Sequence, residues 1–441
     1  MATNTTKQKA GLQLGNAIYK TMSADPVAVQ NLPAPSADNY AEFMQSIKTY
    51  NASYNSFINA VNQIVTIYIN GAEDRNPFYE MVKGFINYGD TIEHMFVDTF
   101  DVQDWYECED ADYETNFGRT PSKVYSLYYS SNFHKRVKAS VQDIVMNKAA
   151  RDWGQVNDLI SEIIDKLYTS MIGEEADAAA ALLNMAHTAG WCYPVKVNAI
   201  DITNYEGLKD KMAANTIAIK AAANRLYVRG SRKYNYLGVK TRTDFDNQYI
   251  WLLPEYLAAQ DVEVLASAFN MTKVEFLGHV VMCSDFGGAE DTGAVAFLTD
   301  QRWFQIWYQN KEVTYSYNAG TRLWNYFYFV DAYFAIGLFF NCVEFVSSMK
   351  TITSVTIKAS QKAQKCAATD IEVDIVNGGE VGGWSSKCDW SILGQTSKRT
   401  FISPFGRLFI GPDETADSIT VTATSVQDPT KTSSVAVSVT A

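Results

Sequence analysis

The sequence changes character near Met349, and this change constrains the fold more than any other feature. After it, apolar residues alternate with polar ones in short runs rich in Ser, Thr and Val, as in residues 419–423 and 435–439. A period of two is typical of strands with one buried face. Glycine pairs at 378–379 and 382–383 separate the runs. Residues 351–441 are therefore predicted to form an all-β domain with the size of an immunoglobulin-like sandwich.

The chain before this point is predicted to mix helices and strands. Apolar residues three and four apart predict one helix over 153–171 and a second after Gly173, so that together they occupy about 152–188. Other helices are predicted at 43–65, 208–226 and 261–268, and strands at 249–253, 280–283, 294–298 and 304–308. Residues 190–320 are therefore interpreted as an α+β domain.

Two segments are predicted to extend from the folded body. Residues 1–36 are interpreted as an arm, because prolines at 33 and 35 favour an extended chain. Residues 76–139 are interpreted as a projection, with strand-like pieces at 92–100 and 124–133. An acidic tip joins these pieces: Asp101, Asp104, Glu107, Glu109, Asp110, Asp112 and Glu114. So charged a tip is not predicted to be buried in its own domain, and it either stays in solvent or lies on a neighbouring molecule.

The charge balance argues against a protein that wraps nucleic acid. The 441 residues contain 37 Lys and Arg but 49 Asp and Glu, which gives a net charge of -12. Neutralising phosphates requires an excess of Lys and Arg. The hydrophobic share of 47% instead indicates a globular chain with large cores, long enough for two or three domains.

The most apolar stretch, residues 323–346, is interpreted as buried strands rather than as a membrane span. Asn325, Asp331, Asn341 and Glu344 interrupt it. A charge at bilayer depth costs about 2.5 to 3.5 kcal/mol. The aromatic and β-branched content of the stretch favours strands.

Neither export nor a disulfide framework is predicted. Residues 1–9 are polar, unlike the start of a signal peptide. The six cysteines include no Cys-x-x-Cys pair and are interpreted as reduced thiols. Only Cys366 and Cys388, which share the C-terminal segment, are considered able to approach each other.

The sequence carries no recognisable catalytic or metal-binding motif. Its four histidines stand on separate predicted elements, and no nucleophile elbow or phosphate-binding loop occurs. The loop around Gly287 and Gly288 is interpreted as a turn. Glu255, Asp261 and Glu263 could form a carboxylate pair, but such coincidences are common in an acidic chain. We therefore predict no enzyme activity, no cofactor and no metal.

The charges point instead to contacts between copies of the chain. A basic cluster follows the predicted helix at 208–226, and a second basic run occupies residues 134–138. Each could face solvent, phosphate or an acidic neighbour, and the acidic tip makes docking between copies the favoured reading. The candidate inter-subunit residues are Asp104, Glu107, Glu109, Asp110, Arg225, Arg229, Arg232 and Lys233.

Several segments of the sequence resemble the major capsid protein of small short-tailed phages of the phi29 type. They are residues 238–243, residues 261–278, Asp300, Trp303-Phe304, the aromatic run 324–328 and residues 343–347. Residues 388–391 and 418–424 resemble a bacterial immunoglobulin-like domain of group 2, which ends that family. The resemblance covers mainly residues 205–350 and the tail, whereas residues 1–190 match in layout alone.

The resemblance implies an α+β capsid fold of the HK97 type followed by an all-β immunoglobulin-like sandwich. It implies an N-terminal arm and entry helix at 1–50 and a capsid core at 51–350, with its peripheral (P) domain. Within that core it places an E-loop at about 76–139, a spine helix at about 152–188 and an A-domain at about 190–320. The immunoglobulin-like domain occupies 351–441.

The implied function is structural. Copies of the chain would assemble in the bacterial host cytoplasm, with a scaffolding protein and a portal, into pentamers and hexamers of an icosahedral or prolate head. This virion shell would enclose double-stranded DNA without specific contacts, would need no membrane, and could reach host-surface glycans through the terminal domain. The alternatives are a surface or tail-fibre binding protein that adheres through that domain, and a carbohydrate-active enzyme.

Overall fold

The computed structural model describes most of the chain in two compact units. The described residues are 4–24, 26–30, 32–36, 39–49, 53, 56–57, 60, 78–87, 89, 91–100, 124–142, 153–199, 208–228, 230–259, 279–318, 320–321, 323–349, 351–358, 361–377 and 387–440. Unit 1 comprises Met1–Asp90, Ser130–Ala178 and Ile306–Phe334, and unit 2 comprises Thr91–Tyr129, Ala179–Gln305 and Ala335–Ala441.

Unit 1 combines N-terminal helices with a four-stranded sheet. The helices are α1 (Asn4–Met22), α2 (Pro26–Val29) and α3 (Tyr40–Thr49), and Ile18 and Ile47 on them are fully buried. The sheet has the order β1-β9-β10-β4, formed by β1 (Val82–Phe85), β4 (Phe133–Gln142), β9 (Phe304–Asn318) and β10 (Leu323–Ile336). Strand β10 runs antiparallel to β4, from Leu323 opposite Gln142 to Ala332 opposite Phe133.

The two helices predicted on either side of Gly173 are one continuous helix, α4 (Trp153–Ala189). The prediction of a break was wrong because an interior glycine costs a helix only about 1 kcal/mol. Tertiary contacts next to Gly173 offset that cost: Glu175 is buried and its Oε2 accepts a hydrogen bond from the Tyr308 hydroxyl at 2.8 Å. The helix ends where expected, at Gly190, which has a left-handed φ of 64°.

Unit 2 is built around a five-stranded sheet of order β5-β11-β8-β6-β7. Its strands are β5 (Tyr193–Lys196), β6 (Gln248–Leu252), β7 (His279–Met282), β8 (Ala294–Asp300) and β11 (Cys342–Val346). Helix α5 (Leu208–Val228) packs on one face of the sheet through Met212, Ile219 and Leu226. Helix α6 (Pro254–Ala259) follows β6.

These elements confirm the strands predicted in the middle of the chain and the helix predicted at 208–226. The stretch 323–346 forms β10 and β11, so its interpretation as buried strands is confirmed. In the part of the chain that the structure describes, no helix is long and apolar enough to cross a membrane. The helix predicted at 261–268 lies outside the described residues, as does most of the one predicted at 43–65 after Thr49.

The segment interpreted as a projection contributes strands to both units. Strands β2 (Ile92–Val97) and β3 (Val124–Tyr129) pair as an antiparallel ribbon in unit 2. The predicted strand at 124–133 is two strands, because Phe133 begins β4 in the sheet of unit 1. Residues 101–123, with the acidic tip, lie outside the described residues.

Among the described residues after Met349, strands are the only regular elements. They are β12 (Ile352–Ile357), β13 (Lys362–Gln364), β14 (Ala368–Asp370), β15 (Val373–Asn377), β16 (Cys388–Leu393), β17 (Phe401–Ile402), β18 (Arg407–Phe409), β19 (Ser418–Ser425) and β20 (Thr432–Thr440). Side chains of Ile357, Leu408, Val421 and Val437 meet in one core. The alternation of residues 419–423 is confirmed, because Ile419, Val421 and Ala423 are fully buried. Cys366 and Cys388 are free thiols.

Candidate inter-subunit surfaces

Three of the eight candidate contact residues can be placed in the structure. Asp104, Glu107, Glu109, Asp110 and Arg229 lie outside the described residues. The other three candidates belong to unit 2. Arg225 is exposed in the last turn of α5, whereas Arg232 and Lys233 lie in the loop that follows, residues 230–243.

Arg232 has an acidic partner within its own chain. Its Nη1 lies 2.5 Å from Oδ2 of Asp98, which follows strand β2 of the ribbon. The Asp98 carboxylate is only 1% exposed, whereas the Arg232 side chain is 45% exposed. Oδ1 of Asp98 also accepts backbone N–H groups, from Thr99 at 2.8 Å and Lys240 at 3.4 Å. Asp98 therefore fastens the base of the ribbon to the 230–243 loop.

The electrostatics of Asp98 agree with this role. Burial raises the pKa of the carboxyl group, but the hydrogen bond from Arg232, the Thr99 N–H and the guanidinium charge together lower it below its ordinary value. The carboxylate is consequently ionised near neutral pH, although it is buried. This pairing uses one end of Arg232 and leaves its other nitrogens facing solvent.

Two other basic side chains of this region, Lys233 and Arg242, lie over aromatic rings. Nζ of Lys233 is 4.8 Å from the ring centroid of Tyr193. Cζ of Arg242 is 4.7 Å from the ring of Tyr227, and Arg242 also pairs with Asp244 at 2.6 Å. Cation–π contacts of this kind orient a charge without removing it from solvent.

The 230–243 loop is also joined to the C-terminal strands. Asn235 is fully buried and closes the loop on itself, since its side chain donates to Val239 O at 2.6 Å and accepts from Val239 N at 2.9 Å. Nζ of Lys387 donates to the Asn235 carbonyl at 2.9 Å. Burial lowers the pKa of Lys387 to about 8. Neither Asn235 nor Lys387 stood out in the sequence, because hydrophobic spacing does not reveal buried polar contacts.

The second basic run forms one edge of the unit 1 sheet. Alternate residues of β4 place His134, Arg136 and Lys138 on one face. His134 Nδ1 is hydrogen-bonded to Asp331 at 2.7 Å. Arg136 and Lys138 lie over the ring of Phe327, at 6.0 and 5.7 Å. The middle of β4 therefore presents two positively charged side chains that lie over an aromatic ring.

The β2–β3 ribbon carries apolar side chains on both faces, with Glu93 and Ser126 between those of the outward face, and its inward face is covered within the chain. His94 and Phe96 on that face pack against Phe339, with ring centroids 5.4 Å apart in each case. The outward face carries Met95 and Tyr128, which are 63% and 66% exposed, and the directly opposed pair Val97 and Val124, which are 55% and 50% exposed. Contiguous exposed apolar side chains of this kind mark an interaction surface.

Of the residues considered for chemistry, His187 has a structural role, whereas Asp261 and Glu263 lie outside the described residues. His187 bridges Glu344 and Thr292, both at 2.8 Å, inside unit 2. The loop at Gly287 and Gly288 is a turn, as predicted: both glycines have left-handed φ angles, of 67° and 100°. Within the described residues, no group of three or more His, Cys, Asp or Glu could hold a metal ion.

Comparison with known proteins decides the family. The model of the phi29-like phage major capsid protein family matches residues 16–346. The chain belongs to this family. The resemblance noted in residues 238–347 is thereby confirmed. The phi29-like capsid proteins are structural rather than enzymatic, and membership does not favour the tail-fibre alternative.

The matched relatives are phage major capsid proteins. That of Bacillus phage B103 is 28% identical over 402 residues, which cover 89% of this chain and 85% of the relative. That of Streptococcus phage Cp-1 is 23% identical over 360 residues, or 76% of this chain and 94% of the relative. Among solved structures, a chain of the Staphylococcus phage Andhra capsid matches with a TM-score of 0.50 and 11% identity, covering 62% of this chain and 84% of that one. The phi29-like chain therefore shares the mixed α+β fold of phage capsid subunits.

Proposed function

We propose that the chain builds a closed phage head of the HK97 type, with pentamers and hexamers arranged in an icosahedral or prolate shell. In this proposal the shell forms in the bacterial host cytoplasm with a scaffolding protein and a portal, and then encloses double-stranded DNA. The net charge of -12 supports non-specific confinement of DNA, because an acidic wall repels it.

One observation carries the proposal: the outward apolar face of the β2–β3 ribbon. A monomer gains nothing by exposing Met95, Val97, Val124 and Tyr128 side by side. A symmetric array repeats the same contact at every subunit, and many weak contacts then give a stable shell. Electron microscopy of the purified chain tests this: closed shells or capsomers are expected, whereas filaments or persistent monomers would contradict it.

The acidic tip would extend the same contact electrostatically. We propose that residues 101–114 lie on a basic surface of the neighbouring subunit. The exposed Arg225 and Arg242 offer one such surface, and Arg136 and Lys138 on β4 offer another. Arg232 is a weaker candidate than its sequence position suggested, because it already forms an ion pair with Asp98 of its own chain.

Neutralising the tip is expected to weaken assembly without unfolding the subunit. Asp104, Glu107, Glu109 and Asp110 would be changed to Asn or Gln, which removes the attraction for a basic neighbour. Shell yield, measured by sedimentation over a series of salt concentrations, should fall and become less sensitive to salt.

A matched control separates the effect of the tip contact from the effect of a changed net charge. The same number of exposed carboxylates can be neutralised on the C-terminal strands, at Asp370, Glu372, Asp389 and Asp417. This control should assemble normally. Unchanged yield and unchanged salt sensitivity in the tip variant would rule out the tip contact.

We also propose that residues 352–441 are an immunoglobulin-like domain on the outer surface of the shell. Support comes from their separate hydrophobic core, which needs no side chain from the rest of the chain. Many copies facing outward could bind host-surface glycans by avidity, or they could brace neighbouring capsomers. The contact between Lys387 and Asn235 joins this domain to the 230–243 loop.

Truncation after Ser348 is expected to leave shells of normal shape. The sheet of unit 2 is complete with β11, so the capsid fold keeps its own core. Negative-stain images of shells from the truncated and full chains would be compared, with the variant Lys387→Met as a control that loses the contact but keeps the domain. Aggregation of the truncated chain without shells would show that the domain is required for assembly.

A further inference from the structure

Two cysteines of unit 2 lie next to each other in the core, although 150 residues separate them in sequence. Cys192 directly precedes β5, and Cys342 is the first residue of β11. These strands are parallel neighbours with Val343 opposite Tyr193, so the two cysteines form the preceding pair in the same register. Their sulfur atoms are 2.6 Å apart. This spacing leaves no room for an atom between them.

The backbone around the pair is fixed on both sides. The N–H of Cys342 donates to Tyr234 O at 2.9 Å, and Trp191, just before Cys192, donates its N–H to Ala186 O at 2.8 Å in the turn that ends α4. Both side chains are buried, with exposures of 0% and 1%. The backbone positions of the two cysteines are therefore fixed by the sheet and by the turn that ends α4.

We propose that Cys192 and Cys342 are a covalent modification site, which closes to a disulfide when the subunit meets a low-molecular-weight disulfide outside the reducing cytoplasm. One small disulfide accepts two electrons from the two thiols. A sulfur–sulfur bond forms between Cys192 and Cys342, the small disulfide bond breaks, and its two halves leave as thiols carrying the two protons. The reaction is ordinary thiol–disulfide exchange.

The product would tie the C-terminal end of α4 to the first residue of β11. Closing a loop of this length removes much of the conformational freedom of the unfolded chain. Neighbouring strands also satisfy the separation that a disulfide needs without backbone movement. This stabilisation goes beyond the proposed assembly, because it acts inside each subunit.

Burial of the two thiols slows their exchange with the small disulfide. Burial raises the pKa of the Cys192 thiol well above its ordinary value and also raises that of Cys342. Few thiolates are then present at neutral pH, so exchange in the folded subunit should be slow. Strand β5 is at the edge of the sheet, and its transient opening gives the small disulfide access.

The test uses the full chain, reduced and then incubated with oxidised glutathione in two arms. One arm keeps the subunit folded, and the other refolds it from denaturant in the presence of glutathione, so that burial cannot block the reaction. After alkylation in denaturant, peptide mapping should find the Cys192–Cys342 link and a mass lower by two hydrogens. In the folded arm, Cys283 and Cys388, two other buried free thiols, should stay alkylatable as internal controls.

The link should raise the melting temperature by roughly 5 °C or more, and a reductant should reverse the rise. The variant Cys342→Ala should melt at one temperature with or without the oxidant. Full alkylation of both cysteines in both arms, or their capture by other partners, would overturn the proposal.

Discussion

The change Arg232→Met is expected to destabilise the attachment of the β2–β3 ribbon by about 1 to 3 kcal/mol, less than for a fully buried pair because the Arg232 side chain is 45% exposed. Methionine keeps much of the apolar stem of arginine, so the main loss is the charge beside Asp98. Breaking a buried ion pair from one side leaves an uncompensated charge, which is the expensive case. Leaving the Asp98 carboxylate unpaired costs the most free energy, because this carboxylate is only 1% exposed.

The expected loss depends on pH in a defined direction. In the native chain the lowered pKa of Asp98 means that its pairing stabilises the fold above the ordinary carboxyl range and loses that effect as pH falls through the folded-state pKa. In Arg232→Met, burial without the guanidinium should raise that pKa. The penalty is then present near pH 7 and disappears as the carboxyl group is protonated. The two proteins should therefore converge only when the pH falls below the ordinary carboxyl range, through the lowered pKa of the native Asp98.

Urea unfolding of unassembled subunits and hydrogen exchange at residues 92–97 and 124–129 measure this effect. The double variant Asp98→Asn, Arg232→Met removes both charges and is the matched control. It should recover much of the loss and should show no pH dependence from this site. A single variant as stable as the native subunit at pH 7 would mean that the ion pair does not hold the ribbon.

Local patterns were enough to predict the elements that carry strong periodicity. The helix at 208–226, the strands β6, β7 and β8 of the unit 2 sheet and the alternating strands after Met349 are predicted from local patterns of apolar residues, whereas β5 is not. The break at Gly173 was not, because contacts of Glu175 and Tyr308 from distant parts of the chain decide whether a glycine ends a helix. Tertiary contacts of this kind have no signature in local sequence.

The candidate surfaces show the same limit. The sequence indicated which charges exist, but it could not indicate that Arg232 pairs with Asp98, 134 residues away. It also overlooked the ribbon's outward apolar face. Met95, Val97 and Val124 could have revealed that face. Apolar residues stand at both the inward and the outward positions of these strands, which interrupts the alternation expected of a strand with one solvent-exposed face.

That outward face gives the second large effect: Val97→Asp is expected to weaken each inter-subunit contact by roughly tenfold, which corresponds to about 1.4 kcal/mol per contact. The yield of shells should therefore fall by at least that factor. Val97 is 55% exposed and directly opposite Val124, so aspartate should cost the isolated subunit less than about 1 kcal/mol. In an assembled shell the same carboxylate would be buried without a partner, which costs more. Because every subunit repeats the contact, the penalty applies throughout the shell.

The comparison that isolates this effect is Val97→Thr, which keeps the β-branched shape and adds no charge. Both variants would be purified as subunits, checked for equal urea stability, and then assembled and counted by electron microscopy. Shells should form with threonine and fail with aspartate. If the aspartate variant assembles as well as the native chain while remaining folded, the outward face of the ribbon is not an inter-subunit contact, and the shell must be held together by other surfaces.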